Sequence, residues 1–211
     1  MAKRSSAPKG PNNGSKVQAL KPRNLAVDAL ANCGSMYLFT VIFSIFGVIF
    51  IMPQIPAVAK LILGIVFAIP VGIVQFTKGK SAGEKEYKLK NRTTLSDIHT
   101  QRINNVNPFK SLVLIAPFVF SAIILTVIAV AAKAKWLQGI MLIIFIPITL
   151  VFQGAGLIVL DETGTVTWYS VVAVAIFTVA VSLAYVAGYF VGVYSLKKRS
   201  SELINEIRSY E

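Results

Sequence analysis

Few residues in this chain could do chemistry, and most of those that could lie inside long apolar stretches. The stretches enclose the amides Gln75 and Gln153 and the hydroxyls Thr40, Ser44, Ser121, Thr126, Thr149, Thr178 and Ser182. Their interiors contain no Asp, Glu, Lys, Arg or His. Proton relays, ion pathways and embedded catalytic sites rely on ionisable groups at membrane depth, so their absence weighs against ion-coupled transport. Amides and hydroxyls at depth ordinarily bond to another helix or to the preceding turn of their own. Gln153, followed by Gly154 and Gly156, is the best placed for a polar contact with a substrate in the membrane.

Outside those stretches the sequence offers little more. There is no pair of carboxylates, no serine or cysteine nucleophile beside a base, and no cluster with metal-ligand spacing. His99 is the sole histidine, in a polar loop without a second ligand, and reads as a solvated side chain. The single cysteine, Cys33, excludes an internal disulfide and a cysteine-built metal site. Gly79-Lys80-Ser81 has the ending of a phosphate-binding loop, but Val74 stands where that loop needs glycine, and an apolar helix stands where it needs a strand. Asn13-Gly14-Ser15 and Asn91-Arg92-Thr93 have the form of glycosylation acceptors, yet both fall on the side assigned below to the cytoplasm. The expectation is a non-enzyme with no catalytic residue, no cofactor and no metal.

The elements that would position these groups are membrane helices. Of 211 residues 55% are apolar and 14% charged, and the mean hydropathy is +0.68, far from a soluble domain. The fold class expected is all-α, a polytopic integral membrane protein with five hydrophobic segments: 36–52, 58–76, 111–132, 136–160 and 166–196. The last is free of charge until Lys197-Lys198-Arg199; at 1.5 Å per residue it would measure about 46 Å, beyond the ~30 Å of bilayer hydrocarbon. Residues 1–24 read as a disordered basic tail, 25–196 as the transmembrane domain, 77–110 as a basic loop within it, and 197–211 as a basic, amphipathic tail. Asn24 to Ser35 suggests a short interfacial helix. A signal peptide with cleavage near Ala57-Val58-Ala59 is disfavoured, because the preceding polar region and the apolar run are both too long.

Charge orients the segments. The net charge is +12, carried by 21 Lys and Arg against 9 Asp and Glu. Basic residues are retained on the cytoplasmic side, which puts the amino terminus and the 77–110 loop there and makes the plasma membrane the expected location. Five full spans would leave 14 basic residues inside and 7 outside; a fourth segment that enters and leaves by one face changes this to 18 and 3. Pro147 and Gln153-Gly154-Ala155-Gly156 would permit such a break, while the length of segment 4 argues for a plain span. Four spans plus a broken or re-entrant segment, and five spans, both stand. The expected acidic partner is the anionic headgroup layer, met by the loop and tails, and not nucleic acid.

Two small-residue ridges imply close packing. Ala180, Ala184, Gly188 and Gly192 recur every fourth residue on segment 5, and Gly64, Ala68 and Gly72 do so on segment 2. Such ridges let helix backbones approach, either segment 5 against segment 2 or against a second copy in a homodimer. Packing faces without a polar pathway suit a structural or accessory subunit of a membrane complex. The alternative is a small permease or transporter component.

Overall fold

The computed structural model describes residues 24–47, 55–90, 107, 109–157, 159 and 165–209. Among them are six helices: α1 (Leu25–Gly47), α2 (Ala57–Lys90), α3 (Phe109–Ala131), α4 (Lys135–Ile144), α5 (Ile146–Gly154) and α6 (Trp168–Ser209). Four of these, α1, α2, α3 and α6, are long and apolar enough to cross a membrane, and α4 with α5 forms a pair bent by 88°. The protein is an all-α, polytopic membrane protein. Large apolar side chains such as Leu38, Ile62, Ile73, Ile124, Ile176 and Leu183 stand exposed on the outer faces of the bundle, where hydrocarbon and not water is the fitting solvent.

Helix boundaries depart from the sequence expectation in two places. The stretch Asn24 to Ser35 is the first part of α1 itself, begun where the Asn24 side-chain oxygen accepts from the Ala26 N–H at 3.1 Å. The polar loop begins later than expected, because α2 continues past Phe76 as far as Lys90. Beyond Arg199, where helical spacing of Leu203, Ile204 and Ile207 leads one to expect the last helix to continue or restart as an amphipathic tail, α6 continues to Ser209. Apolar periodicity ends near the bilayer edge, but helical backbone bonding need not end with it. Residues 1–23 and 91–106, with His99 and the expected disordered tail, lie outside the described residues.

The break in segment 4 has a covalent cause. Pro147 is the second residue of α5, so it lacks an N–H for the carbonyl one turn back, and its ring clashes with that carbonyl. Phe145 absorbs the bend at φ −107° and ψ 26°. The hydroxyl of Ser44 on α1 donates to the Ile144 carbonyl at 2.6 Å, which satisfies a backbone acceptor at the break. α5 then ends in a Schellman cap. Gly156 adopts φ +79°, its N–H reaches the Gln153 carbonyl at 3.1 Å, and the Leu157 N–H reaches the Phe152 carbonyl at 2.9 Å.

Side-chain pairings give each helix a direction. α1 and α2 are antiparallel, since Ser35 meets Lys78 while Gly47 lies against Phe67. α1 and α3 are parallel, with Asn32 donating to the Leu114 carbonyl and Tyr37 hydrogen-bonded to Ser121. α6 runs parallel to α2: Gly188 lies on Phe76, and Gly192 on Lys80. α3 therefore ends, and α6 begins, at the same end of the bundle. The α4–α5 pair must start and finish there, as a re-entrant element does. A core of Met36, Val71, Phe118, Phe145, Phe177 and Tyr185 joins these helices, with Tyr37, Phe118, Phe145 and Phe177 in edge-on ring contacts.

Candidate functional site

The ridge of α6 meets backbone at its lower half. A methyl group placed on Gly188 would lie 2.0 Å from the Phe76 carbonyl oxygen, and one on Gly192 would lie 2.2 Å from that of Lys80. The reverse holds on α2: a methyl on Gly79 would lie 2.0 Å from the Tyr185 oxygen, and one on Gly83 would lie 2.2 Å from that of Tyr189. Only hydrogen fits at these four positions. Ala184 is half-buried and Ala180 exposed.

The facing residues on α2 are thus Gly79 and Gly83, not the Gly64, Ala68 and Gly72 named from spacing. Gly64 packs against Pro147 and Val151 of α5, and Ala68 against the general core. Gly72 has nothing within 4 Å of an added methyl. The register differs because α2 extends further than its apolar run, which leaves Gly79 and Gly83 on helix instead of in a loop.

The amide candidates separate. Gln153 sits in the last turn of α5, where its Oε1 lies 3.5 Å from the Lys60 ammonium, at the limit of a hydrogen bond. Its glycine neighbours cap α5 or meet α2, with Gly154 against Ala57 and Leu61. Gln75 is fully buried, and neither end of its amide has a hydrogen-bond partner among the described residues. Thr40, Thr126 and Thr178 return their hydroxyls to carbonyls one turn back, at 2.8, 2.7 and 2.8 Å.

At the opposite end of the bundle from α4–α5, residues of four helices enclose a half-open cavity of about 760 Å³. α1 contributes Asp28, Asn32 and Ser35; α2 contributes Lys78, Lys85, Glu86 and Lys90; α3 contributes Lys110; and α6 contributes Tyr185 and Tyr189. Four lysines against two carboxylates leave the lining net positive by two. Glu86 is buried and ion-paired with Lys110. The Lys78 ammonium binds the Ser35 hydroxyl and lies 4.3 Å from the Phe39 ring centroid, a cation–π contact. Tyr189 is 1% exposed, and its hydroxyl has no hydrogen-bond partner among the described residues.

These lining residues were not singled out from sequence, although a signal exists. Lys78, Ala82, Lys85 and Leu89 follow at intervals of four, three and four, one face of a helix; the interval is invisible once the stretch is taken as a loop. Among the described residues no group of three or more His, Cys, Asp or Glu could hold a metal ion. The cavity offers cationic donors and two tyrosines, Tyr185 and Tyr189, a lining that fits an anion. No family model matches this chain, and no curated protein or solved structure matches it either.

Proposed function

We propose that this chain is a non-catalytic membrane protein that serves as a structural or accessory subunit of a membrane complex. The observation that carries this reading is the closed interior: the α2–α6 seam is backbone against backbone at Gly79, Gly83, Gly188 and Gly192. Thr40, Thr126 and Thr178 spend their hydroxyls on their own helices, so these three line no polar file between the two ends. Parallel α2 and α6 bring Lys85, Lys88 and Lys90 to the same end as Lys197, Lys198 and Arg199. By the preference for basic residues inside, that end is cytoplasmic, with both termini, and its lysines face anionic headgroups of the plasma membrane. In mild detergent the protein should migrate as part of an assembly larger than its own 22.9 kDa, with one partner in fixed ratio. Proteoliposomes containing it alone should take up no solute. Monomeric migration together with saturable uptake would overturn the reading.

A permease is the second reading, favoured by the unpartnered amide of Gln75 in the core and by the helix break at Phe145. Transporters place discontinuous helices at their binding sites. Gln75→Leu would then abolish uptake while leaving the fold intact.

A further inference from the structure

We propose that the lysine-lined cavity is a discrete binding site for a phosphate-bearing anion, either the headgroup of an acidic phospholipid or a soluble phosphate ester. Three independent features of the cavity call for an anion. Lys78, half-buried, holds its charge against a hydroxyl and a ring face, with no carboxylate partner among the described residues, and a cation partly removed from water is stabilised by a counter-charge. Tyr189 is buried with an O–H that no group among the described residues accepts, and buried donors ordinarily have a partner. Lys85, from the next two turns of α2, adds a second cation that makes no ion pair among the described residues, whereas Lys110 is already matched by Glu86. Asp28 on the α1 wall subtracts from this field without reversing its sign.

The shape suits the same ligand. At about 760 Å³ the cavity has room for a headgroup with part of a chain, and Ala31, Ala82, Leu89 and Leu114 give it an apolar side beside the lysines. Basic pockets between membrane helices are a known way of holding acidic headgroups, and lysine binds phosphate as a point charge. The site stands whether the protein is an accessory subunit or a permease, and whichever compartment the cavity faces.

The test uses the full chain in phosphatidylcholine nanodiscs, probed with phosphatidylglycerol and separately with inorganic phosphate. Retained lipid is counted by native mass spectrometry, and phosphate binding is followed by calorimetry. One phosphatidylglycerol should be retained per chain in preference to phosphatidylcholine. Lys78→Gln should weaken this about fivefold, the effect of one basic residue near an anionic surface, and Tyr189→Phe about tenfold, the effect of a hydrogen bond to a charged group. Lys197→Gln, at the same end but outside the cavity, should leave it unchanged. Saturable phosphate binding with the same variant pattern, and no lipid retention, assigns the soluble source. Unaltered melting of the Tyr189→Phe protein keeps the comparison interpretable. Equal retention in wild type, Lys78→Gln and Tyr189→Phe, or a loss in Lys197→Gln as large as theirs, overturns the site.

Discussion

Replacing Gly188 by alanine adds one methyl group to a helix of 42 residues, and the structure assigns that change a large effect. The new carbon would lie 2.0 Å from the Phe76 carbonyl oxygen, 2.8 Å from its carbon and 3.0 Å from the Lys80 nitrogen. An ordinary carbon–oxygen approach is about 3.3 Å. All three neighbours are backbone, so no side chain can swing away, and α2 and α6 must part by more than an ångström. A gap of ~0.5 to 1 Å forfeits about a quarter to a half of each dispersion contact, and the loss would extend along the seam to Gly79, Gly83 and Gly192. Overpacking destabilises by roughly 1 to 3 kcal/mol, while exchanging glycine for alanine within a helix returns up to ~1 kcal/mol. A 2.0 Å approach to backbone places the cost at the upper end of the overpacking range, so the expected net effect is about 2 kcal/mol of lost stability, measured by unfolding in mixed detergent micelles. Gly72→Ala is the control. It gains the same helix propensity and meets nothing within 4 Å, so it should be neutral or stabilising. Stability of Gly188→Ala within ~0.5 kcal/mol of wild type, a change surface substitutions commonly produce, or an equal loss in Gly72→Ala, would refute the packing argument.

Three further outcomes follow from the same geometry. Gly83→Ala should lose about as much stability as Gly188→Ala, because its methyl would lie 2.2 Å from the Tyr189 carbonyl oxygen; a loss in Gly72→Ala with none in Gly83→Ala would restore the register inferred from spacing alone. In a background lacking Cys33, a membrane-impermeant thiol reagent should label Lys133→Cys and Gly156→Cys from one face of the membrane, and Ser81→Cys and Lys197→Cys from the other; Lys197→Cys labelling together with Lys133→Cys would require five crossings. Gln138→Leu removes the amide that donates to the Ala129 carbonyl at 3.0 Å and accepts from the Val166 N–H at 3.4 Å. It should lower the melting temperature by the equivalent of about 1 to 3 kcal/mol, whereas Gln75→Leu, which breaks no hydrogen bond among the described residues, should lower it less or raise it.

How much of this was legible in the chain depends on which physical force wrote each feature. Burial in hydrocarbon writes itself into composition, so the five apolar segments and the all-α class can be read directly, and Pro147 marks the break because a missing N–H is a covalent fact. Helix ends beyond the hydrocarbon are written by backbone bonding, to which polar residues are nearly indifferent. Gly79 to Lys90 contains no proline and several good helix formers, yet without an apolar stripe it resembles a loop. That one misjudged boundary hid both the true partners of Gly188 and Gly192 and the lysine face of the cavity. Spacing by four found the α6 ridge, since small residues are needed wherever backbones touch. It could not choose among ridges on α2, because Gly64, Gly72, Gly79 and Gly83 look alike in one dimension and differ only in what a methyl group would strike. The cavity is less legible still. Asp28, Lys78, Lys110 and Tyr189 come from four helices, and only the parallel course of α2 and α6 brings them to one end. Charge counting carries a trace of that course: the 18 to 3 division of basic residues requires that segments 2 and 5 run in the same direction, which the glycine contacts then make atomic.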